Sequence, residues 1–308
     1  MNNRRLEEEV GPERLLSHRL RGFDRHESTV AGLKAALARE VRHVEFDVRL
    51  TKDGRFLTFH DPFVLDDHGG YHNIGELTIE EIRTRCHIDH APFLDEMLEC
   101  FRKNAKDTAT IHVDIKAGGV ERCLVDLIRR YDLVDRAVIV SWIPSVLEKV
   151  AAIEPGFRLC YSHITFARFT PLYSIAAWVL SQKTVNAAGR FTRSFAPYTG
   201  RLIESLRIYW DSDGIPWDAH ENDLTGFNHG HLVPYLVGGK MLQLLERTRG
   251  MVCIPTVCAT KGLVEDYHRR GISVAVFPVR TREELRVAVG RVHPDVLYVD
   301  NADLLPGA

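Results

Sequence analysis

Glu45 and Asp47 stand two apart in the run VEFDVRLTKDGRFLTFHDPF (44–63), which reads as a strand, a turn at Lys52-Asp53-Gly54 and a return strand reaching His60. Side chains two apart on a strand share a face, so this pattern sets two like charges side by side. Other ionisable groups fall at comparable places. His18 and Arg19 end the apolar run RLLSHR, and Asp114 and Lys116 end TIHVDIK. Three carboxylates from neighbouring strands repel one another unless a cation lies between them, and hard oxygen donors suit Mg²⁺ or Ca²⁺ better than zinc. Glu45, Asp47 and Asp114 are therefore candidate metal ligands. The competing reading is a salt-bridge network with Arg49, Lys116 or another basic neighbour.

The elements that must position these groups follow from periodicity. Short apolar runs rich in β-branched residues occur at 14–19, 43–48, 110–115, 137–142, 157–161, 251–256, 273–279 and 296–300. Amphipathic helical patterns separate them, at 29–41, 93–104, 120–131, 145–153, 262–271 and 281–292, with Thr29, Ser145 and Thr281 as expected N-caps. Alternating strands and helices predict an α/β fold, a closed (β/α)8 TIM barrel. No GxGxxG follows any of these strands, which lowers the dinucleotide-binding alternative. In such a barrel, functional side chains sit at the C-terminal ends of the strands. His18, Arg19, Glu45, Asp47, His60, Asp114 and Lys116 are thus expected to converge on one mouth.

One interval breaks the rhythm. Residues 162–250 are read as an insertion between strands 5 and 6, within a single domain spanning 1–308. The chain leaves strand 5 at the mouth, so the insert is expected to cover it as a lid. The run WDSDGIPWDAHENDLTGFNHGH (210–231) supplies aromatic and polar groups, and Trp217 and His229 are its expected substrate contacts.

Composition narrows the partners. Acidic residues number 42 and basic residues 40, with no large basic block, so no nucleic-acid footprint is expected. Six cysteines show neither a CxxC pair nor zinc-ligand spacing, and the charged start MNNRRLEEEVGPERL lacks the apolar core of a signal peptide. Both features point to a cytoplasmic location. The apolar stretch 166–182 is interrupted by Arg168 and Pro171 and is short for a span of about 20 residues. It is read as a buried helix, with membrane-surface contact as the alternative. His43, His87, His90, His112, His268, Cys253 and Cys258 are expected to serve packing or the surface, and nothing in the sequence fixes an oligomeric state.

These motifs together resemble the glycerophosphodiester phosphodiesterase family. The resemblance rests on His18-Arg19, HEST (26–29), EFDVRLTKDGRFLTFHD (45–61), DIK (114–116), PFLDEML (92–98), SW (141–142) and LYVDNADLL (297–305). It implies a (β/α)8 barrel, His18 and His60 as the catalytic pair, and Glu45, Asp47 and Asp114 as ligands of Mg²⁺ or Ca²⁺. Arg19 and Lys116 then contact the phosphate. An imidazole can take a proton from an attacking oxygen or give one to a leaving oxygen near neutral pH. The resemblance favours His18 as base and His60 as acid.

The departures from the family pattern are Leu20 for a glycine, His26-Glu27-Ser28 for PEN, Asp114 for a glutamate, and Phe277-Pro-Val-Arg280 for WTVN. Leu20, Phe277 and Arg280 are expected on the substrate side. The expected function is metal-dependent hydrolysis of a glycerophosphodiester-type small molecule. The alternatives are hydrolysis of a sugar phosphodiester or lysophospholipid, and a barrel that binds phosphodiesters without turnover.

Overall fold

The computed structural model describes residues 10–162, 239–256 and 259–307. Its strands, in chain order, are β1 (Leu15–Ser17), β2 (His43–Leu50), β3 (Phe56–Thr58), β4 (Phe63–Leu65), β5 (Tyr71–Asn73), β6 (Thr110–Ile115), β7 (Ala137–Ser141), β8 (Arg158–Ser162), β9 (Met251–Pro255), β10 (Ser273–Val279) and β11 (Val296–Val299). Eight of them form a parallel sheet in the order β1-β11-β10-β9-β8-β7-β6-β2, and β1 pairs with β2 to close it. These eight are the strands expected from the apolar runs.

Alternation along each strand builds two separate interiors. Val44, Phe46 and Val48 on β2, like Ile111 and Val113 on β6, point outward into the main core beneath the helices. The helix Leu94–Asn104 meets that core with Leu94, Met97, Leu98 and Phe101, one stripe at helical spacing. The residues between them on the strands point into the barrel. There Leu16, Val138, Val140, Cys160, Cys253, Ala275, Val296 and Tyr298 form a second cluster. Inside it, buried His112 hydrogen-bonds through Nδ1 to the Tyr298 hydroxyl at 2.9 Å. His112 and Cys253 are thus packing residues, as expected.

β1 is short, and its pairing with β2 stops at Ser17↔Val44. The exposed upper edge of β2 is taken by β3, which runs antiparallel with Val48↔Thr58, Arg49↔Leu57 and Leu50↔Phe56 in register. An unpaired edge would leave backbone donors and acceptors unsatisfied, and this hairpin returns the chain to the mouth at His60. A second, two-stranded hairpin, β4–β5, follows.

Three local expectations are corrected. The helix Pro144–Ile153 is entered from Ile143, with Pro144 at its first position, so Ser145 lies inside it and caps nothing. Thr29 and Thr281 do cap their helices, accepting from Gly32 and Glu284. The interval read as free of βα units contains the helix Gly239–Thr248, which leads directly into β9. The helix Ile79–Cys86, with a Thr78–Glu81 capping box, was not anticipated. Among the described residues, no helix is long and apolar enough to cross a membrane. The described cysteines are free thiols.

Candidate active site

The inward alternation of β2 and β6 continues to their C-terminal ends, where Glu45 and Asp47 share a face and Asp47 pairs in register with Asp114. Carboxylate oxygens of Glu45, Asp47 and Asp114 lie within 4.8 Å of one another, and all three residues are buried. Lys116 Nζ lies 2.9 Å from Asp47 Oδ1 and 2.5 Å from Asp114 Oδ2, and Arg19 Nε lies 3.1 Å from Asp47 Oδ2. The backbone N–H of Arg19 donates to Glu45 Oε2 at 3.0 Å. The salt-bridge reading therefore holds in part, with Arg19 and Lys116 as the cations. Arg49 instead donates to the His60 carbonyl at 2.8 Å.

Two positive charges do not balance three carboxylates. Glu45 Oε1 and Asp114 Oδ1 are buried and accept no hydrogen bond, an arrangement that is costly in a low-dielectric interior. Burial, with Asp47 and Asp114 nearby, pushes the Glu45 carboxyl well above the usual carboxylate range. Burial also opposes ionisation of Asp47, but Lys116 and Arg19 outweigh it and hold that carboxyl below its ordinary value. Burial likewise disfavours the charged Lys116, yet Asp114 and Asp47 raise its pKa overall. A hard divalent cation would neutralise the excess charge and satisfy the two orphaned oxygens, so the donor set fits Mg²⁺ or Ca²⁺.

The two histidines flank this cluster in different settings. His18 begins a single 3-10 turn after β1, with Nε2 3.7 Å from Glu45 Oε2 and Nδ1 2.5 Å from Asp300 Oδ1. Burial lowers its pKa, against the opposing hydrogen bond to Asp300. His60 follows β3, and its Nδ1 lies 2.6 Å from Asp61 Oδ1. Beside it lies a small cleft of about 40 Å³, lined by Glu27, Ser28, Thr58, Phe59, His60, Asp61 and His90. His90 and His26 stack at its rim, 4.0 Å between ring centroids.

The structure thus brings together His18, Arg19, Glu45, Asp47, His60, Asp114 and Lys116. Arg280 is exposed, 3.6 Å from Asp300 Oδ2, and Phe277 is half-buried against the inward cluster of the barrel. Leu20 is not on the substrate side. It is fully buried in the outer core with a backbone φ of +55°. A leucine pays a steric cost in that left-handed region where glycine does not, and burial of its side chain offsets that cost. Trp217 and His229 lie outside the described residues.

Sequence reasoning included Asp300 in the motif LYVDNADLL but gave it no role. It directly follows β11 just as Lys116 directly follows β6, and that position after a strand was the signal that would have found it.

The sequence profile of the Glycerophosphoryl diester phosphodiesterase family matches residues 16–186, more than half of the chain. A glycerophosphodiester phosphodiesterase of Caldanaerobacter subterraneus subsp. tengcongensis is 27% identical over 159 residues. That match covers 47% of this chain and 64% of the relative, so the chain spans less than two thirds of that protein. An Oleispira antarctica phosphodiesterase, solved with its product sn-glycerol-3-phosphate, superposes with a TM-score of 0.58 at 15% identity, covering 93% of this chain and 92% of its own. A glycerophosphodiester phosphodiesterase of Agrobacterium tumefaciens superposes with a TM-score of 0.56 at 17% identity, covering 96% and 99%. At these identities the superpositions establish the barrel fold.

Proposed function

The chain belongs to the glycerophosphoryl diester phosphodiesterase family, and from that premise we propose that it hydrolyses a glycerophosphodiester-type substrate to an alcohol and a phosphomonoester. The observation that carries the proposal is the buried Glu45–Asp47–Asp114 cluster, with two orphaned oxygens, at the same mouth as His18 and His60. Glu45, Asp47 and Asp114 would hold Mg²⁺ or Ca²⁺, which when bound polarises a phosphoryl oxygen as a Lewis acid.

The chain's own residues do the rest. As the oxygen of water bonds to phosphorus and the P–O bond to the leaving alcohol breaks, His18 takes a proton from the water. His60 gives one to the departing oxygen, so each histidine ends in its partner's protonation role and solvent exchange resets the pair. Arg19 and Lys116 sit where their charges offset the negative charge building on the phosphoryl oxygens. The small cleft beside His60 marks the side on which the alcohol would depart, and exposed Arg280 lies near Asp300.

The reading includes a single barrel domain; of the segment 162–250 read as a lid, residues 163–238 lie outside the described residues, and the helix Gly239–Thr248 leads into β9. It also includes a cytoplasmic setting, supported by the free thiols.

A product screen tests the function. Purified protein with Mg²⁺ or Ca²⁺ is offered glycerophosphocholine, glycerophosphoethanolamine, sugar phosphodiesters and lysophospholipids, with products identified by mass. Cation-dependent release of a phosphomonoester is expected. Intact diesters throughout would sink the proposal, and tight binding of one without cleavage would favour the non-catalytic barrel.

A further inference from the structure

β11 presents two inward side chains, Tyr298 and Asp300, to the same imidazole. The Tyr298 ring meets His18 edge-on, 5.6 Å between centroids at 67°, while Asp300 Oδ1 lies 2.5 Å from His18 Nδ1. Asp300 is itself held. Its backbone N–H donates to the Val279 carbonyl at 2.9 Å, continuing the strand ladder. Its second oxygen, Oδ2, accepts from Arg21 at 2.9 Å, with Arg280 farther off at 3.6 Å. Arg21 is fixed in turn by Glu27, 2.8 Å from its Nε. Asp300 is 9% exposed and His18 13%, so water competes little for this contact.

A carboxylate can only accept from a ring nitrogen, and the hydrogen bond at one imidazole nitrogen decides which nitrogen carries the proton. With the proton on Nδ1, the lone pair of neutral His18 lies on Nε2, the atom facing Glu45 and the carboxylate cluster. We infer that Asp300 is a positioning residue that fixes the tautomer and ring orientation of His18, committing its Nε2 to accept a proton from the attacking oxygen. This rests on the hydrolase reading above. It assigns a task to a residue whose two oxygens would otherwise be mere anchors for a histidine and an arginine.

The test joins a spectroscopic readout with a mutant cycle in the full chain. In ¹⁵N-histidine NMR spectra of the Mg²⁺-loaded wild type, with His18 resonances assigned by their loss in His18→Ala, His18 is expected as the Nδ1–H tautomer. Asp300→Asn, which keeps the shape but offers an N–H donor, is expected to move His18 toward the Nε2–H form. It should lower kcat by roughly 10²–10⁴-fold with KM within about threefold. In the His18→Ala background the same change should cost less than about threefold, because residues that act as a unit are non-additive. An Nε2–H tautomer in the wild type, an unmoved tautomer in Asp300→Asn, or losses that multiply independently in the double variant would each overturn the inference. The wild-type spectrum decides even if a variant misfolds. Failure of the wild type to cleave any diester would instead fall on the hydrolase reading, while the tautomer measurement would still judge Asp300.

Discussion

The mouth of this barrel has two unlike walls. One is made of strand ends: His18, Glu45, Asp47, Asp114, Lys116 and Asp300 all project from β1, β2, β6 and β11 or the first residues beyond them. The other is carried by the added hairpin, where His60 follows β3 and leans on Asp61. The contrast shows in the partner carboxylates, for Asp300 is 9% exposed and Asp61 is 64% exposed. A side chain on a paired strand inherits the stiffness of the ladder. One just beyond the last paired residue of a short hairpin relies more on its own local contacts. The strand wall thus holds its charges on paired backbone, while His60 is tied to it through its carbonyl, which accepts from Arg49 at 2.8 Å, and its ring rests on an exposed carboxylate.

The largest expected effect lies wholly on the strand wall. Asp47→Asn or Glu45→Gln should lower kcat/KM by about 10³-fold or more, since a Lewis acid contributes several kcal/mol to the transition state. Calorimetry should show weakened Mg²⁺ binding in the same variants. Full turnover in excess chelator would break the comparison at its base.

Next come the histidines, where the walls should separate. His18→Ala and His60→Ala should each cost roughly 10²–10⁴-fold on a diester with a poor leaving group. With a p-nitrophenyl leaving group, which needs no proton, most of the His60→Ala loss should disappear while that of His18→Ala persists. Equal behaviour of both variants on both substrates would remove the acid and base assignment.

Lys116→Met tests the balance of charge beneath the wall. It leaves Asp47 and Asp114 without their shared cation, and breaking a buried pair in this way costs about 3–5 kcal/mol. The variant should melt well below the wild type in chelator and recover much of the difference with Mg²⁺. Absence of any recovery would mean that the carboxylates do not bind the cation.

Smaller is the effect expected under the strand wall. Tyr298→Phe leaves His112 Nδ1 without its partner inside the barrel, a loss of about 1–3 kcal/mol by denaturant melts. The smallest effect belongs to the hairpin side. A hydrogen bond from His72, with backbone donors from Gly70 and His68, holds Asp66 down at about 2. Its folded value lies below the unfolded carboxylate value of about 3.9. The contribution to stability is thus present above that value and lost as the pH falls toward 2. Asp66→Asn should flatten this acid limb in pH-dependent melts without changing turnover near neutrality, and an unchanged limb would assign the acid sensitivity elsewhere.

Much of the strand wall was legible in the sequence because its physics is local. Apolar runs mark the strands, and a charged residue interrupting the inward alternation, as in VEFDV, marks the site. The hairpin side was harder to read. β4 and β5 are three residues each, too short for a period to register. The helix Ile79–Cys86 buries only Ile82, so its apolar pattern is faint, although Thr78 and Glu81 spell a capping box. Leu20 was misplaced because its backbone turns left-handed and carries the side chain into the outer core. Asp300 could be marked by its place after a strand, but not its pairing with His18: the two are 282 positions apart, and no window along the chain contains both.

That separation has a bearing on how the protein comes to be active. β1 is flanked by β2 on one side and by β11 on the other, so the first strand of the barrel must wait for the last to be completed. Bringing such distant segments together carries a loop-closure cost before any contact rewards it. A nascent or partly folded chain can assemble β2 and β6, and with them the carboxylate cluster, while His18 still lacks Asp300. Competence to bind a cation should therefore precede competence to turn over substrate during refolding, and the lag between the two would time the closing of the barrel.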